Sequence, residues 1–265
     1  MTEKEFLERF EFCFDTLFDG EEEFDAALRY ACFGGGKRVR PLGVFLGASA
    51  VSEAFPLDEV LSLACAVELV HSYSLVHDDL PAMDDDDMRR GRPTVHKKFG
   101  EATAILVGDA LNTRAAEVVT AGVLQFGRRY AAAASGLMRA AGDMVRGQVL
   151  DIAGMKTEHE FEKMYALKTG ALIKASFVAG ATVAGADEDT LDAVRGYAEA
   201  LGLGFQIADD LLEKDEETSL VTLIGRERGE ELLKKCTSEA LRYASLTPSG
   251  DRLAEFATRM GARKR

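Results

Sequence analysis

Apolar residues in this chain recur at intervals of three and four over long stretches, with few interruptions. Leu61, Ala64, Cys65, Glu68, Leu69, Ser72 and Tyr73 form one such series; Leu191, Val194, Ala198, Leu201 and Phe205 form another. That period belongs to helices, not to alternating strands. Only 5 prolines occur in 265 residues, and Pro56, Pro93 and Pro248 fall where helices can meet. Segments 102–111 and 171–184 are apolar nearly all round, as in helices buried inside a large bundle. No β-rich block, repeat period or Gly/Ser/Pro linker divides the chain. The pattern predicts an all-α protein, with residues 1–265 forming a single domain of about ten helices.

Charge narrows the function classes. With 45 acidic and 32 basic side chains the formal charge is −13. Nucleic acid is excluded as a partner, because phosphate backbones need a basic face, and an anionic membrane surface is disfavoured for the same reason. Cys13, Cys32, Cys65 and Cys236 form no C-x-x-C pair, which predicts a reducing, cytoplasmic setting. The start Met1-Thr2-Glu3-Lys4-Glu5 is not a signal-peptide n-region. No run is read as long enough to span a bilayer; residues 171–186 come nearest, and Lys174 interrupts them.

The most informative segment runs from His71 through Asp78, Asp79, Asp84, Asp85, Asp86 and Asp87 to Arg89, Arg90 and Arg92. Six carboxylates within ten residues follow an apolar, and therefore buried, helix. Pro81 disfavours helix at Leu80 and should end it there. Like charges this close raise one another's pKa unless a cation neutralises them. A solvated acidic loop is the plain alternative, but solvated loops seldom follow a buried helix and precede arginines. A calcium loop fails on spacing: counted from Asp84, Arg89 stands where glycine is needed and Val95 where glutamate is needed. Oxygen donors without cysteine favour Mg²⁺, Mn²⁺ or Ca²⁺ over zinc. Carboxylates beside arginines suit a metal–diphosphate site, in which acids hold the metal while metal and arginines hold the anion.

Gln206, Asp209, Asp210 and Glu213 lie three and four apart and share one helical face, suggesting a second carboxylate wall across a cavity from the first. Gly34-Gly35-Gly36-Lys37-Arg38-Val39-Arg40-Pro41 reads as a glycine-rich turn into a helix, with Lys37 and Arg40 on one face. It lacks the order of a Walker loop. His71 lies two turns before Asp78 on the same face. Lys168-Thr169-Gly170 precedes an apolar helix. His77, His96 and His159 carry no chemical reading.

With these segments assembled, the chain resembles the trans-isoprenyl diphosphate synthases of the polyprenyl synthetase family over almost its whole length. The likeness is nearest to the bacterial-type short-chain farnesyl diphosphate synthases. Residues 35–41, 65–92, 108–111, 168–172 and 204–210 carry the match, and the first acidic cluster with its arginine pair is the most specific part. The resemblance implies a single-domain helical bundle around a central cavity (the isoprenoid synthase fold), dimeric. It implies head-to-tail prenyl transfer, in which an allylic diphosphate ionises, isopentenyl diphosphate attacks and a proton is lost to the released diphosphate. By the same likeness Asp78, Asp79 and Asp84 would bind Mg²⁺ (three ions, or Mn²⁺) on one wall, and Asp209 and Asp210 on the other. Arg89 would grip the allylic diphosphate; Lys37, Arg40, His71 and Arg90 would bind isopentenyl diphosphate; Lys168, Thr169 and Gln206 would line the ionising carbon and leaving group. Tyr73, five residues before Asp78, sits just over one turn deeper and should stop the growing chain at C15, with a geranyl (C10) or geranylgeranyl (C20) diphosphate synthase as the alternatives.

Two departures stand out. Glu213 ends the second motif where the family has aspartate. Sixteen positions separate Asp209 from Gly225, where the family has a longer loop with two lysines, for which Lys214 and Glu217 are poor substitutes. The segments between Gln125 and Ala131 and after Asp151 are also short. The shortness at the second motif is read as residues missing between Glu213 and Lys214 rather than as degeneracy. Two other classes remain open: a terpene cyclase, which the second anion site argues against, and a non-catalytic regulatory subunit.

Overall fold

The computed structural model describes residues 1–212 and 219–262. Among them the chain folds as α1 (Glu3–Asp15), α2 (Glu23–Cys32), α3 (Val39–Ser49), α4 (Leu57–Asp78), a minimal hairpin of β1 (Met88–Arg89) and β2 (Arg92–Pro93), α5 (Val95–Phe99), α6 (Glu101–Phe126), α7 (Arg128–Ala153), α8 (Glu158–Tyr165), a π-helical turn (Ala166–Gly170), α9 (Ala171–Val183), α10 (Glu188–Leu212), α11 (Leu220–Ile224), α12 (Arg226–Ala244) and α13 (Asp251–Gly261). The all-α expectation holds, with thirteen α-helices in place of about ten. The short hairpin was not foreseen. The expectation about Glu213, Lys214 and Glu217 falls outside the described residues.

Helix α4 is the axis of the fold. It packs on α6, α3 and α9, while α3 crosses α9 and α10 lies on α12. Every member of the series Leu61, Ala64, Cys65, Glu68, Leu69, Ser72 and Tyr73 is buried. Among the described residues α4 is the helix long and apolar enough to cross a bilayer, rather than 171–186, and 72% of that stretch is buried within the protein. Helix α1 starts with a capping box between Thr2 and Glu5 and drives Phe6, Phe10 and Phe14 inward at four-residue spacing. A smaller apolar cluster of Phe161, Met164, Tyr165, Ile207, Leu211, Leu220, Val221 and Cys236 joins α8, α10, α11 and α12.

Segment 102–111 departs from expectation. It lies on α6, but Ile105 and Leu106 are exposed. Leu124 on the same helix is 85% exposed, and Val145, Val149 and Ile152 form an exposed stripe on α7.

The glycine-rich turn is fixed by a buried ion pair. Arg38 precedes α3 with φ +47°, in the left-handed region. Its guanidinium donates to Glu68 Oε1 of α4 at 2.6 Å, to Glu11 Oε1 of α1 at 2.7 Å and to the Cys32 carbonyl at 3.1 Å. Lys37 therefore lies before the helix rather than on a shared helical face with Arg40. Removing one member of a buried pair leaves an uncompensated charge, at roughly 3–5 kcal/mol. Arg38→Met should lower the urea midpoint accordingly, and Arg38→Met/Glu68→Leu should recover at least half of the loss. A single variant as stable as the parent would show that the turn is held otherwise.

Candidate active site

Helix α4 delivers the first carboxylates. It ends at Asp78; Asp79 caps it and Pro81 follows, as the sequence predicts. The chain then doubles back, and the Asp84 amide donates to the Asp78 carbonyl at 2.9 Å. This brings Asp84 beside Asp78. Burial raises the Asp78 carboxyl to about 6; Asp84 and Asp79 push the same way, against Lys168 and Arg89. Asp79 is buried, and Arg89 reaches its Oδ1 through Nε at 2.6 Å and Nη2 at 2.5 Å. Arg89 also reaches Asp86 Oδ2 at 3.3 Å. Asp79 thus holds Arg89 at the end of α4, beside Asp78.

The β1–β2 hairpin turns through Arg90 and Gly91, both at positive φ (+52° and +74°), the requirement of a type I′ turn. The turn carries the Arg90 guanidinium to the Gly35 carbonyl, closing the glycine-rich turn against the end of the acidic segment.

Two adjoining clefts result. One is lined by Gly34 to Arg40, Glu68, His71, Arg90, Phe205 and Asp209. The other, about 230 Å³, is lined by Arg40, His71, Tyr73, Asp78, Met83, Met144, Gln148, Lys168 and Thr169 among others. Arg40 and His71 border both. The first cleft gathers four of the predicted basic residues and one acid of the second cluster; the second gathers Asp78, Lys168, Thr169 and Tyr73. Arg89 lies instead in a shallow groove with Asp79, Arg90 and Arg92.

Electrostatics marks the first cleft as an anion site. Burial lowers the Arg40 guanidinium to about 10, with Glu68 opposing and Arg90 reinforcing. Burial, then Arg40 and Arg90, hold His71 well below its usual range, so it is neutral. Arg40 Nε is buried with no hydrogen-bond partner. Crowded cations with an orphaned donor suit an oxyanion ligand.

The π-helical turn shapes the opposite wall. Lys168, Thr169 and Gly170 lie in it, and such widened turns re-aim side chains. A side chain at Gly147 of α7 would strike the Lys168 backbone, so only glycine lets the two segments meet. One turn further, Asp151 pairs with the Lys168 ammonium. Thr169 Oγ1 donates to Gln206 Oε1 at 3.0 Å, and Gln206 Nε2 donates to Asp210 Oδ1 at 3.3 Å. Asp210 is buried.

The sequence reading missed Gln148 and Asp151. Both amide atoms of Gln148 are buried without a partner beside the second cleft. Their signal was present as Gly147-Gln148 with an acid three residues on. His77, unassigned before, bonds the Ile105 carbonyl through Nε2 at 3.0 Å. Asp85, Asp87 and buried His96 bring one ligand atom each within 4.8 Å of one another, and Asp87 also pairs with Lys97 at 2.7 Å.

Asp78, Asp84, Asp209 and Asp210 offer oxygen donors only, the donor set that suits Mg²⁺ or Mn²⁺. Asp78, its carboxyl raised by burial, gains from a nearby cation.

The family model described as polyprenyl synthetase matches residues 21–244. The chain belongs to the polyprenyl synthetase family. Farnesyl diphosphate synthase of Bacillus subtilis (strain 168) is 41% identical over 204 residues, covering 74% of this chain and 68% of the relative. Geranylgeranyl pyrophosphate synthase 11, chloroplastic, of Arabidopsis thaliana is 39% identical over 242 residues, covering 81% and 67%. The chain spans about two thirds of the length of the curated relatives it matches, from 64% to 68%. Among solved structures, the apo FPP/GFPP synthase of Zymomonas mobilis superposes with a TM-score of 0.90 at 33% identity, covering 98% of this chain and 97% of that one. Geranyltransferase of Legionella pneumophila gives 0.88 at 33% identity, covering 97% and 94%. The isoprenoid synthase fold is thereby shown.

The Asp78 shift has a measurable consequence. An unfolded aspartate titrates near ~3.9, below the folded value of about 6. Between these values the folded state binds more protons, so this contribution makes metal-free protein more stable as pH falls. Asp78→Asn removes the contribution. The variant should melt above the parent at about pH 7.5; the gap should narrow as pH falls below about 6, to roughly half by about pH 5, and close only below about pH 4. A gap independent of pH would show that Asp78 ionises normally.

Proposed function

We propose that this protein is a divalent-cation-dependent short-chain prenyltransferase that condenses isopentenyl diphosphate with dimethylallyl or geranyl diphosphate to give farnesyl diphosphate. The observation that carries the reading is the pair of adjoining clefts bordered in common by Arg40 and His71. One is basic and suits a diphosphate; the other is mixed, with carboxylate and lysine at one end and the Tyr73 ring in its lining.

Asp78 and Asp84 on one wall and Asp209 and Asp210 on the other would hold Mg²⁺ or Mn²⁺, which when bound neutralises the allylic diphosphate and stabilises its departure. Lys168 and Arg89 add positive charge to the leaving diphosphate. Lys37, Arg40 and Arg90 hold the diphosphate of the second substrate, with neutral His71 beside them. This places a nucleophilic double bond next to the ionising carbon. Thr169 and Gln206 orient the leaving group and Asp210. Asp79 keeps Arg89 in place. The departed diphosphate accepts the final proton, so no histidine base is required.

Relatives divide between farnesyl and geranylgeranyl synthases by name. The C15 product rests on Tyr73, a buried ring in the cavity wall about one turn below Asp78. Purified protein incubated with Mg²⁺, isopentenyl diphosphate and geranyl diphosphate should yield farnesyl diphosphate, and Tyr73→Ala should shift products beyond C15. Cyclic hydrocarbons or no turnover would refute the reading, and an unchanged product from the variant would move the floor elsewhere.

A homodimer is part of the proposal. Leu106 and Leu124 are separated by five turns of α6 and share a face, and the α7 stripe adds Val145, Val149 and Ile152. Exposed apolar side chains along two helices support a second copy as the partner of this face. The parent should sediment as a dimer, and Leu124→Asp/Val149→Asp as a monomer; an already monomeric parent would discard the dimer. The free thiols, with Cys32 pushed up to about 12 by burial, suit a reducing cytoplasm.

A further inference from the structure

Tyr165, the last residue of α8, is 5% exposed and sits in the smaller apolar cluster. Its hydroxyl donates to Asp210 Oδ2 at 2.7 Å and accepts the Leu220 amide of α11 at 3.2 Å. The other Asp210 oxygen accepts Gln206 Nε2. Two elements thus grip the two oxygens of one carboxylate.

We propose that Tyr165 is a positioning residue that fixes the Asp210 carboxylate for a divalent cation and couples it to the backbone at the start of α11. The inference rests on the reading above, in which Asp210 is a metal ligand.

The chemistry favours a phenol here. A lysine or arginine would neutralise Asp210 and compete with the cation. Phenylalanine would fill the same apolar space against Phe161 but would leave Oδ2 without this donor. Tyrosine donates one proton and carries no charge. Because the Leu220 N–H occupies its acceptor side, that proton is directed at Asp210. A hydrogen bond from behind orients a ligating carboxylate, and loss of such a bond typically weakens metal binding 10–100-fold. Asp209, the neighbouring residue, lines the open cleft.

The test is Mn²⁺ binding in the presence of inorganic diphosphate, followed by electron paramagnetic resonance. Tyr165→Phe should raise the apparent Kd about tenfold or more. Asp210→Asn should raise it as well, and adding Tyr165→Phe to Asp210→Asn should change it by less than about twofold, since coupled residues are not additive. In the parent protein, saturation with Mn²⁺ and diphosphate should slow exchange of the Leu220 amide. An unchanged Kd for Tyr165→Phe beside a weakened Asp210→Asn would overturn this inference alone. An equal loss in the Asp210→Asn background would overturn it too. An unchanged Kd for Asp210→Asn would overturn both this inference and the metal reading. If circular dichroism shows Tyr165→Phe unfolded, the Leu220 exchange decides, and a rate indifferent to Mn²⁺ and diphosphate refutes the coupling.

Discussion

A helix buried on nearly every side must end somewhere, and α4 ends in carboxylates. Its apolar residues can be satisfied only inside the bundle, so its last turn is carried inward with them. Asp78 and Asp79 arrive where ionised groups are poorly solvated, and each needs a positive partner. Asp79 has one in Arg89. Asp78 has Lys168 near it and a pKa raised to about 6, a demand that the proposed divalent cation would meet. The hairpin that returns Arg89 and the π-helical turn that supplies Lys168 both answer the same burial.

The opposite cleft depends on a second buried pair. Arg38, tied to Glu68 and Glu11, links the glycine-rich turn to α4 and α1. The tie sets where Lys37 and Arg40 stand relative to His71, three residues beyond Glu68 on the same helix. Anion and cation sites are therefore built from two ends of one stretch of α4, Glu68 to Asp78, which sets the spacing between the clefts.

Helical period and the acidic cluster made the fold class and one wall of the site legible from sequence, because both are local signals. The end of α4 just before Pro81 and the burial of its apolar series followed directly, whereas the meeting of Lys37, Arg40, His71 and Arg90 was implied only by the family resemblance. What stayed hidden is non-local. Asp151 meets Lys168 only because Gly147 lets α7 approach the π-helical turn, and Tyr165 meets Asp210 across 45 residues of chain. Arg38 looked like one more cation in a basic run; its left-handed backbone turns it away from its neighbours. Segment 102–111 misled for another reason. An apolar face looks the same in sequence whether or not the protein's own core covers it.

A net charge of −13 and the diphosphate substrates proposed above are reconciled by which cations are already committed. The Arg38–Glu68 pair is sealed, with side chains 7% and 3% exposed; nothing arriving from solvent can exchange with it, so Arg38 is structural. Lys168 and Asp151 are 24% and 30% exposed, and Arg89 is 31% exposed over a buried Asp79. Lys168 lines the second cleft and Arg89 a groove of its own, where each cation can still be shared with an arriving anion. Burial thus sorts the basic residues into one that holds the site together and others poised to be shared, a division that net charge does not reveal.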